Sequence, residues 1–172
     1  MPDAVTPAAV TSAAVTPAAV TIERVTTAEQ LAEAFAVRLD VFVVEQHVPE
    51  AEELDALDHA PTTTHVLART ADGAAVGTAR LLTDPGGGEV HIGRVAVRAS
   101  ARGTGAGAAL MRALEAIALA EHPGPDGTVT VLLSAQVQAI GFYERLGYAV
   151  HGPVYLDAGI DHRDARKVLR RG

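Results

Sequence analysis

The chain has 172 residues, 48% hydrophobic, 20% charged and 3% aromatic, with a formal net charge of -7 and no cysteine. A chain of this length buries roughly 70% of the surface its unfolded form exposes, enough for one domain without a disulfide or a metal. The lack of cysteine excludes a disulfide framework, a thiolate-bound metal and a thiol nucleophile.

Acidity argues against nucleic acid as a partner, because that footprint is a basic patch or stripe. The one basic cluster, Arg163, Arg166, Lys167, Arg170 and Arg171, is small. No apolar run approaches the roughly 18 residues of a membrane span, and the N-terminus carries no basic leader. The expectation is a cytoplasmic protein with no membrane partner.

Residues 1–21 repeat a five-residue unit in which Val5, Val10, Val15 and Val20 are each followed by Thr. Prolines and the lack of charge after Asp3 give no face to bury, so this segment reads as a flexible tail ahead of one domain over 22–172. Thr21 to Val25 reads as a strand. Thr27 and Gln30 form a capping box, followed by Leu31, Phe35, Arg38 and Phe42 at helical spacing, and Pro49 ends that helix or its turn. His65–Thr70 and Ala75–Thr83 flank Asp72-Gly73 as a hairpin, and Pro85-Gly86-Gly87-Gly88 turns into a third run, Glu89–Val97. A glycine-rich loop then opens a helix whose stripe is Leu110, Leu114 and Ile117. Strand Val129–Ser134, helix Gln138–Leu146 and strands near Tyr148–Val150 and Val154–Leu156 follow. This order suggests an α+β fold with a partly antiparallel sheet.

Val95-Ala96-Val97 runs into Arg102-Gly103-Thr104-Gly105-Ala106-Gly107, with the helix starting inside the glycines. Small residues let a ligand approach the backbone, and the free N–H groups and dipole of a first helical turn favour an anion. The loop has neither the Lys-Ser/Thr of a Walker loop nor the spacing of a dinucleotide fingerprint. The pyrophosphate of another cofactor fits better.

The loop resembles the R-x-x-G-x-G pyrophosphate loop of the GNAT superfamily of acyl-CoA N-acyltransferases, with Arg102, Gly105 and Gly107 at its defining positions. Gln136 followed by Ala139-Ile140-Gly141-Phe142-Tyr143-Glu144-Arg145-Leu146-Gly147-Tyr148 is similar to the block after the family's fifth strand, with Gln136 where Asn is usual. Arg38, Phe42, Asp55, Asp58, His65, Arg80, Gly93-Arg94-Val95 and Asp157-Ala158-Gly159-Ile160-Asp161-His162 resemble the ElaA-like branch, whose last motif usually reads Glu-x-Gly-Ile-Pro-His.

The resemblance implies a mixed, mostly antiparallel twisted sheet of six to seven strands, flanked by about four helices and splayed between the fourth and fifth strands. It implies acetyl-CoA as co-substrate, bound by Val95, Ala96, Val97, residues 102–107 and Gln136, with no metal. The implied reaction is direct acyl transfer to a primary amine of a small molecule, with Tyr143 protonating the departing thiolate. By alignment His91 falls where some members carry a catalytic Glu, and strict alternation puts it on the face of Gly93, Val95 and Val97. Glu45, at the end of the first helix, is a second candidate base, acting through water.

Ten acids against Arg24 and Arg38 lie between Glu23 and Asp58, a surplus that would attract a cationic amine. Arg38 and Arg80 either pair with Asp55 or Asp58 in a buried network or bind an acceptor carboxylate. Two other readings stay open: an acyl-homoserine-lactone-synthase-like acyltransferase and a non-catalytic acyl-CoA-binding regulator. A homodimer through the C-terminal strands stays open as well.

Overall fold

The computed structural model describes residues 19–172, and the repeat through residue 18 lies outside the described residues. The elements in chain order are β1 (Thr21–Arg24), α1 (Ala28–Arg38), α2 (Glu50–Glu53), β2 (Thr64–Arg69), β3 (Ala75–Thr83), β4 (Glu89–Val97), α3 (Ala106–Glu121), β5 (Val129–Gln136), α4 (Ile140–Arg145), β6 (Ala149–Asp157) and β7 (Ile160–Leu169). The strands form one sheet in the order β1-β2-β3-β4-β5-β7-β6. Among the described residues only the β4–β5 pair is parallel. This is the α+β fold that the motifs implied, with seven strands. No helix of the described residues is long and apolar enough to cross a membrane.

Local chemistry explains the element ends. Gln30 N–H donates to Thr27 Oγ1 at 3.2 Å and Thr27 N–H to Gln30 Oε1 at 3.1 Å, so both partners of the capping box satisfy free donors of α1. The β-branched run Val41, Val43 and Val44 fits an α-helix poorly, and α1 continues over Leu39–Glu45 as a wider π-helical turn. Ala158 and Gly159 have φ of 49° and 76°, the backbone of a two-residue hairpin turn between β6 and β7.

The expected strands end at Leu156, with 157–162 a motif beyond them. The chain instead turns there and returns as the ten-residue β7, inserted between β5 and β6. Two helical layers cover the sheet. On one face Leu110, Met111, Leu114 and Ala118 of α3 bury against Val66, Leu81, Val90 and Val131. Each large side chain there contributes about 1.5–3 kcal/mol of apolar burial. On the other face Val37, Val41, Phe42 and Val48 pack on Ala96.

Candidate active site

Strand β4 carries an extra residue at the level where it must leave its neighbour. Thr78 faces Ala96 while Arg80 faces Gly93, so Arg94 and Val95 together oppose one residue of β3, and Arg94 has φ 53°. Such a bulge bends the strand and shifts its alternation by one. Before it Val90 and Ile92 join the α3 core; after it Val95 and Val97 do, and Ala96 turns to the α1 side. Strict alternation therefore fails, and His91 does not share a face with Val95 and Val97. Pairing of β4 with β5 stops at His91–Leu132, and the strands separate beyond it.

A cavity of about 230 Å³ fills the gap. Its walls are Gly93, Arg94 and Val95 of β4, Ser134 and Gln136 of β5, Tyr143 of α4, Phe42 and Gln46 beside the π-helical turn, and Asp157, Ile160 and His162 around the β6–β7 turn. Gln136 donates to Gln46 Oε1 at 2.8 Å, which ties the fifth strand to the end of the first helix across the gap.

The cradle follows directly from the end of β4. Gly103 and Gly105 take φ of 77° and 87°, in the left-handed region that only glycine adopts freely, and Gly105 caps α3. A Cβ at either would meet nothing within 4 Å, so open space lies over the loop. The first turn of α3 has no acidic side chain to answer its free N–H groups. At Gly107 a Cβ would press on the Phe142 ring at 3.2 Å, which explains the small residue there. Thr104 Oγ1 donates to Ala101 O at 2.5 Å and Arg102 Nε to Val97 O at 3.1 Å, bracing the loop. These features fit the pyrophosphate of acetyl-CoA, and the unpaired β4 edge beyond His91 fits an extended amide-bearing arm.

Tyr143 lines the cavity at 8% exposure, its ring edge-on to Phe142 and Tyr148 at 5.0 and 6.0 Å. Burial pushes its phenol up to about 12, so it holds its proton at neutral pH. The two other expected catalytic groups lie elsewhere. Glu45 receives a hydrogen bond from Arg102 Nη2 at 2.5 Å and so stands at the cradle. His91 is 43% exposed, lies 3.4 Å from Asp84 and 3.9 Å from Glu89, and lines a second cavity of about 330 Å³.

Among the cavity residues with no role expected from the sequence are Arg94, Ser134 and His162. Arg94 had a signal only in the gap it makes in the apolar alternation. His162 sat in a motif whose register could not be read without β7.

Beneath the cavity lies the network of Arg38, Glu53, Asp58 and Arg80, each buried. Arg38 donates to Glu53 Oε1 at 2.8 Å, Asp58 Oδ1 at 2.6 Å and Glu53 O at 2.6 Å. Arg80 reaches Asp58 Oδ1 at 2.7 Å and both oxygens of Asp55 at 2.9 and 3.0 Å. Burial raises the Asp58 carboxyl, but hydrogen bonds from Arg38, the Asp55 backbone and Arg80 outweigh it and hold the group well below the usual carboxylate range. For Glu53 burial wins and its carboxyl is raised. Both guanidiniums are thus answered by protein carboxylates. The structural alternative for Arg38 and Arg80 holds, and they support the cavity from below.

Similarity to known proteins agrees with this geometry. A family model described as an acetyltransferase (GNAT) domain matches residues 22–169. An uncharacterized N-acetyltransferase of Bacillus subtilis, YjcF, is 38% identical over 140 residues, 81% of this chain and 93% of that protein. The crystal structure of Escherichia coli ElaA superposes with a TM-score of 0.75 at 28% identity, covering 87% of this chain and 99% of that one. That of an acyl-CoA N-acyltransferase from Pseudomonas aeruginosa gives 0.70 at 35% identity, covering 87% and 99%. Fold, cradle, splayed strands and these relatives converge, and the chain belongs to the GNAT family of acetyltransferases, enzymes of acyl-CoA-dependent acyl transfer.

Proposed function

We propose that this enzyme moves an acetyl group from acetyl-CoA to a primary amine of a small cationic molecule, by direct attack within a ternary complex, and that it lies in the ElaA-like branch. The observation that carries the reading is the continuity of three parts: the open cradle at 102–107, the unpaired edge of β4 and a cavity holding Tyr143. Acetyl-CoA supplies an activated thioester carbonyl. The backbone of Val95, Ala96 and Val97 would hold its arm, the N–H groups from Gly103 to Gly107 its pyrophosphate, and Gln136 the far side of the arm.

The chain has no cysteine to form an acyl-enzyme, and direct attack needs none. Tyr143, kept protonated by burial, would donate to the departing thiolate. Exposed Glu52 and Asp157 border the cavity and favour a positively charged acceptor. Glu45, hydrogen-bonded to Arg102, is better placed to order the cradle than to take a proton from the amine. His91 lines the second cavity and not the one that holds Tyr143, so this reading gives it no proton to carry.

Thermal unfolding with acetyl-CoA, CoA and ATP tests the reading. A ligand at about 100 times its Kd adds roughly 2.7 kcal/mol to the native state. A rise in Tm with both CoA compounds and none with ATP, lost in Gly105→Glu, is expected, followed by thiol release when ethylenediamine, putrescine or glycinamide is added. Stabilisation by none of the three ligands would remove the cradle from the argument and the reading with it.

A further inference from the structure

The strand that the sequence did not reveal puts a histidine in the cavity wall beside the expected arm-binding residue. In the sheet register His162 of β7 lies directly between Gln136 of β5 and Tyr155 of β6. Directly opposed residues share a sheet face, with Cα atoms about 4.5–5.5 Å apart. One step along, Ser134 faces Asp164 in the same way. The five side chains therefore form one polar array, and Ser134, Gln136 and His162 border the cavity together with Tyr143.

The array fixes the imidazole. His162 Nδ1 lies 2.7 Å from Ile160 O, an acceptor, so Nδ1 carries the proton and the neutral ring has its lone pair on Nε2. The ring stacks on Tyr155 at 6.1 Å and 21°. Tyr155 is itself pinned, its hydroxyl bonded to Ser134 Oγ and donating to Asp164 Oδ1 at 2.8 Å. The ring's one hydrogen bond among the described residues is at Nδ1, which leaves Nε2 without a protein partner on a residue that is 9% exposed. The charged and titratable groups around the same cavity are Arg94 from β4, Glu52 and Glu53 from α2, Tyr143 from α4 and Asp157 from β6, and Asp164 stands behind Tyr155.

We propose that His162 is the general base of the reaction, accepting at Nε2 the proton of the attacking ammonium, directly or through one water. The inference rests on the acetyltransferase reading above and names the proton acceptor that reading lacks. The balance closes: the ammonium proton passes to Nε2, the amine nitrogen bonds to the thioester carbonyl carbon, and the C–S bond breaks. The thiolate takes the Tyr143 proton, the acylated nitrogen sheds its second proton through water to the Tyr143 phenolate, and the imidazolium returns its proton to solvent, leaving a neutral amide, a thiol and one released proton. Tyr143 and His162 thus divide the acid and base work between two groups in one cavity. The pair Gln136–His162 would bring the base next to the arm that delivers the acetyl group.

His162→Gln is compared with wild type and with His91→Gln, using the amine among the three probes that wild type acetylates fastest. The expected result is a kcat lower by about 100-fold or more in His162→Gln, with acetyl-CoA KM within about twofold, and loss of the acidic limb of the kcat–pH profile. His91→Gln keeps both. A His162→Gln enzyme that retains kcat and the acidic limb overturns the proposal, as does loss of that limb in His91→Gln instead.

A second measurement does not need turnover or a folded variant. In wild type, ¹⁵N imidazole signals are followed while ethylenediamine is added, with and without CoA. The His162 Nε2 signal is expected to move on amine addition; an unmoved signal overturns the assignment. If wild type acetylates none of the probes but this signal still moves, it is the acyl-transfer reading that fails, and amine binding at His162 stands.

Discussion

Two polar clusters adjoin in this fold, with Glu53 belonging to the one and lining the other, yet they are finished differently. In the buried network every charged group of Arg38, Asp58 and Arg80 meets a protein partner within 3.1 Å. Around the cavity the polar groups hold one another in place but leave the working atoms open: among the described residues His162 Nε2 has no partner, and Tyr143 sits over the gap. Among the described residues Arg80 Nε is the one nitrogen of the two guanidiniums left without a partner. Charges paired this closely in a low-dielectric interior make a rigid support, because any departure leaves a charge unanswered. Groups oriented on one side and open on the other are what a substrate can use.

The sharpest way to break this contrast is Asp58→Ala. The substitution leaves Arg38 and Arg80 facing each other's charge without their shared carboxylate, and Arg38 is fully buried. Removing one partner of a buried ion pair costs about 3–5 kcal/mol. Urea unfolding should show that loss as a lower midpoint at an unchanged slope. A cost near that of an ordinary surface substitution, within about 0.5 kcal/mol, would mean that the network is dispensable as a support.

Tyr143→Phe probes the open cluster and should give the opposite signature. Burial alone shifts the hydroxyl, with no hydrogen bond contributing, while the ring packs on Phe142 and Tyr148 and is kept by Phe. Stability should change by less than about 0.5 kcal/mol. Removal of a general acid should lower kcat by about 100-fold, some 2.7 kcal/mol in the barrier. Steady-state kinetics at saturating acetyl-CoA and a parallel urea curve separate the two quantities. An unchanged kcat would leave Tyr143 as a packing residue and pass the role of general acid to another group.

How much of this was visible in the sequence follows the range of the interactions. The cradle was legible because its determinants are local: Gly103 and Gly105 sit at positive φ, and Arg102 braces the strand end five residues back. The capping box of Thr27 and Gln30 is local in the same sense. The β4 bulge was not legible, because its left-handed residue is Arg94 where a glycine would have been the signal. Missing that one residue shifted the inferred face of everything beyond it.

Strand β7 was hidden by its own chemistry. Asp161, Arg163, Asp164, Arg166 and Lys167 give it the look of a polar tail, and only His162 and Ala165 are buried. Its partners are β5 and β6, and no local pattern announces a central strand that is mostly solvated. The pairing of Glu45 with Arg102 spans 57 positions, beyond any periodicity argument. The same holds for the Ser134–Tyr155–Asp164 chain that orients His162.

The smallest expected effect sharpens the comparison by holding geometry fixed and changing the medium. Arg24 Nη1 approaches Glu121 Oε1 at 2.6 Å, the same distance as Arg38 Nη1 to Asp58 Oδ1. Both arginines bind their carboxylate through two nitrogens. The side chains of the first pair are 43% and 42% exposed, and those of the second 1% and 0%. If contact geometry set the energy, Glu121→Gln and Asp58→Ala would cost alike. Exposed pairs gain little because water already solvates each partner, so Glu121→Gln should cost under about 1 kcal/mol. That cost should vanish near 1 M salt, where the screening length falls to about 3 Å. The cost of Asp58→Ala should persist there, because ions do not reach Arg38. Urea curves of both variants at low and high salt decide the matter: equal costs, or equal salt dependence, would show that burial is not what separates the two kinds of pair.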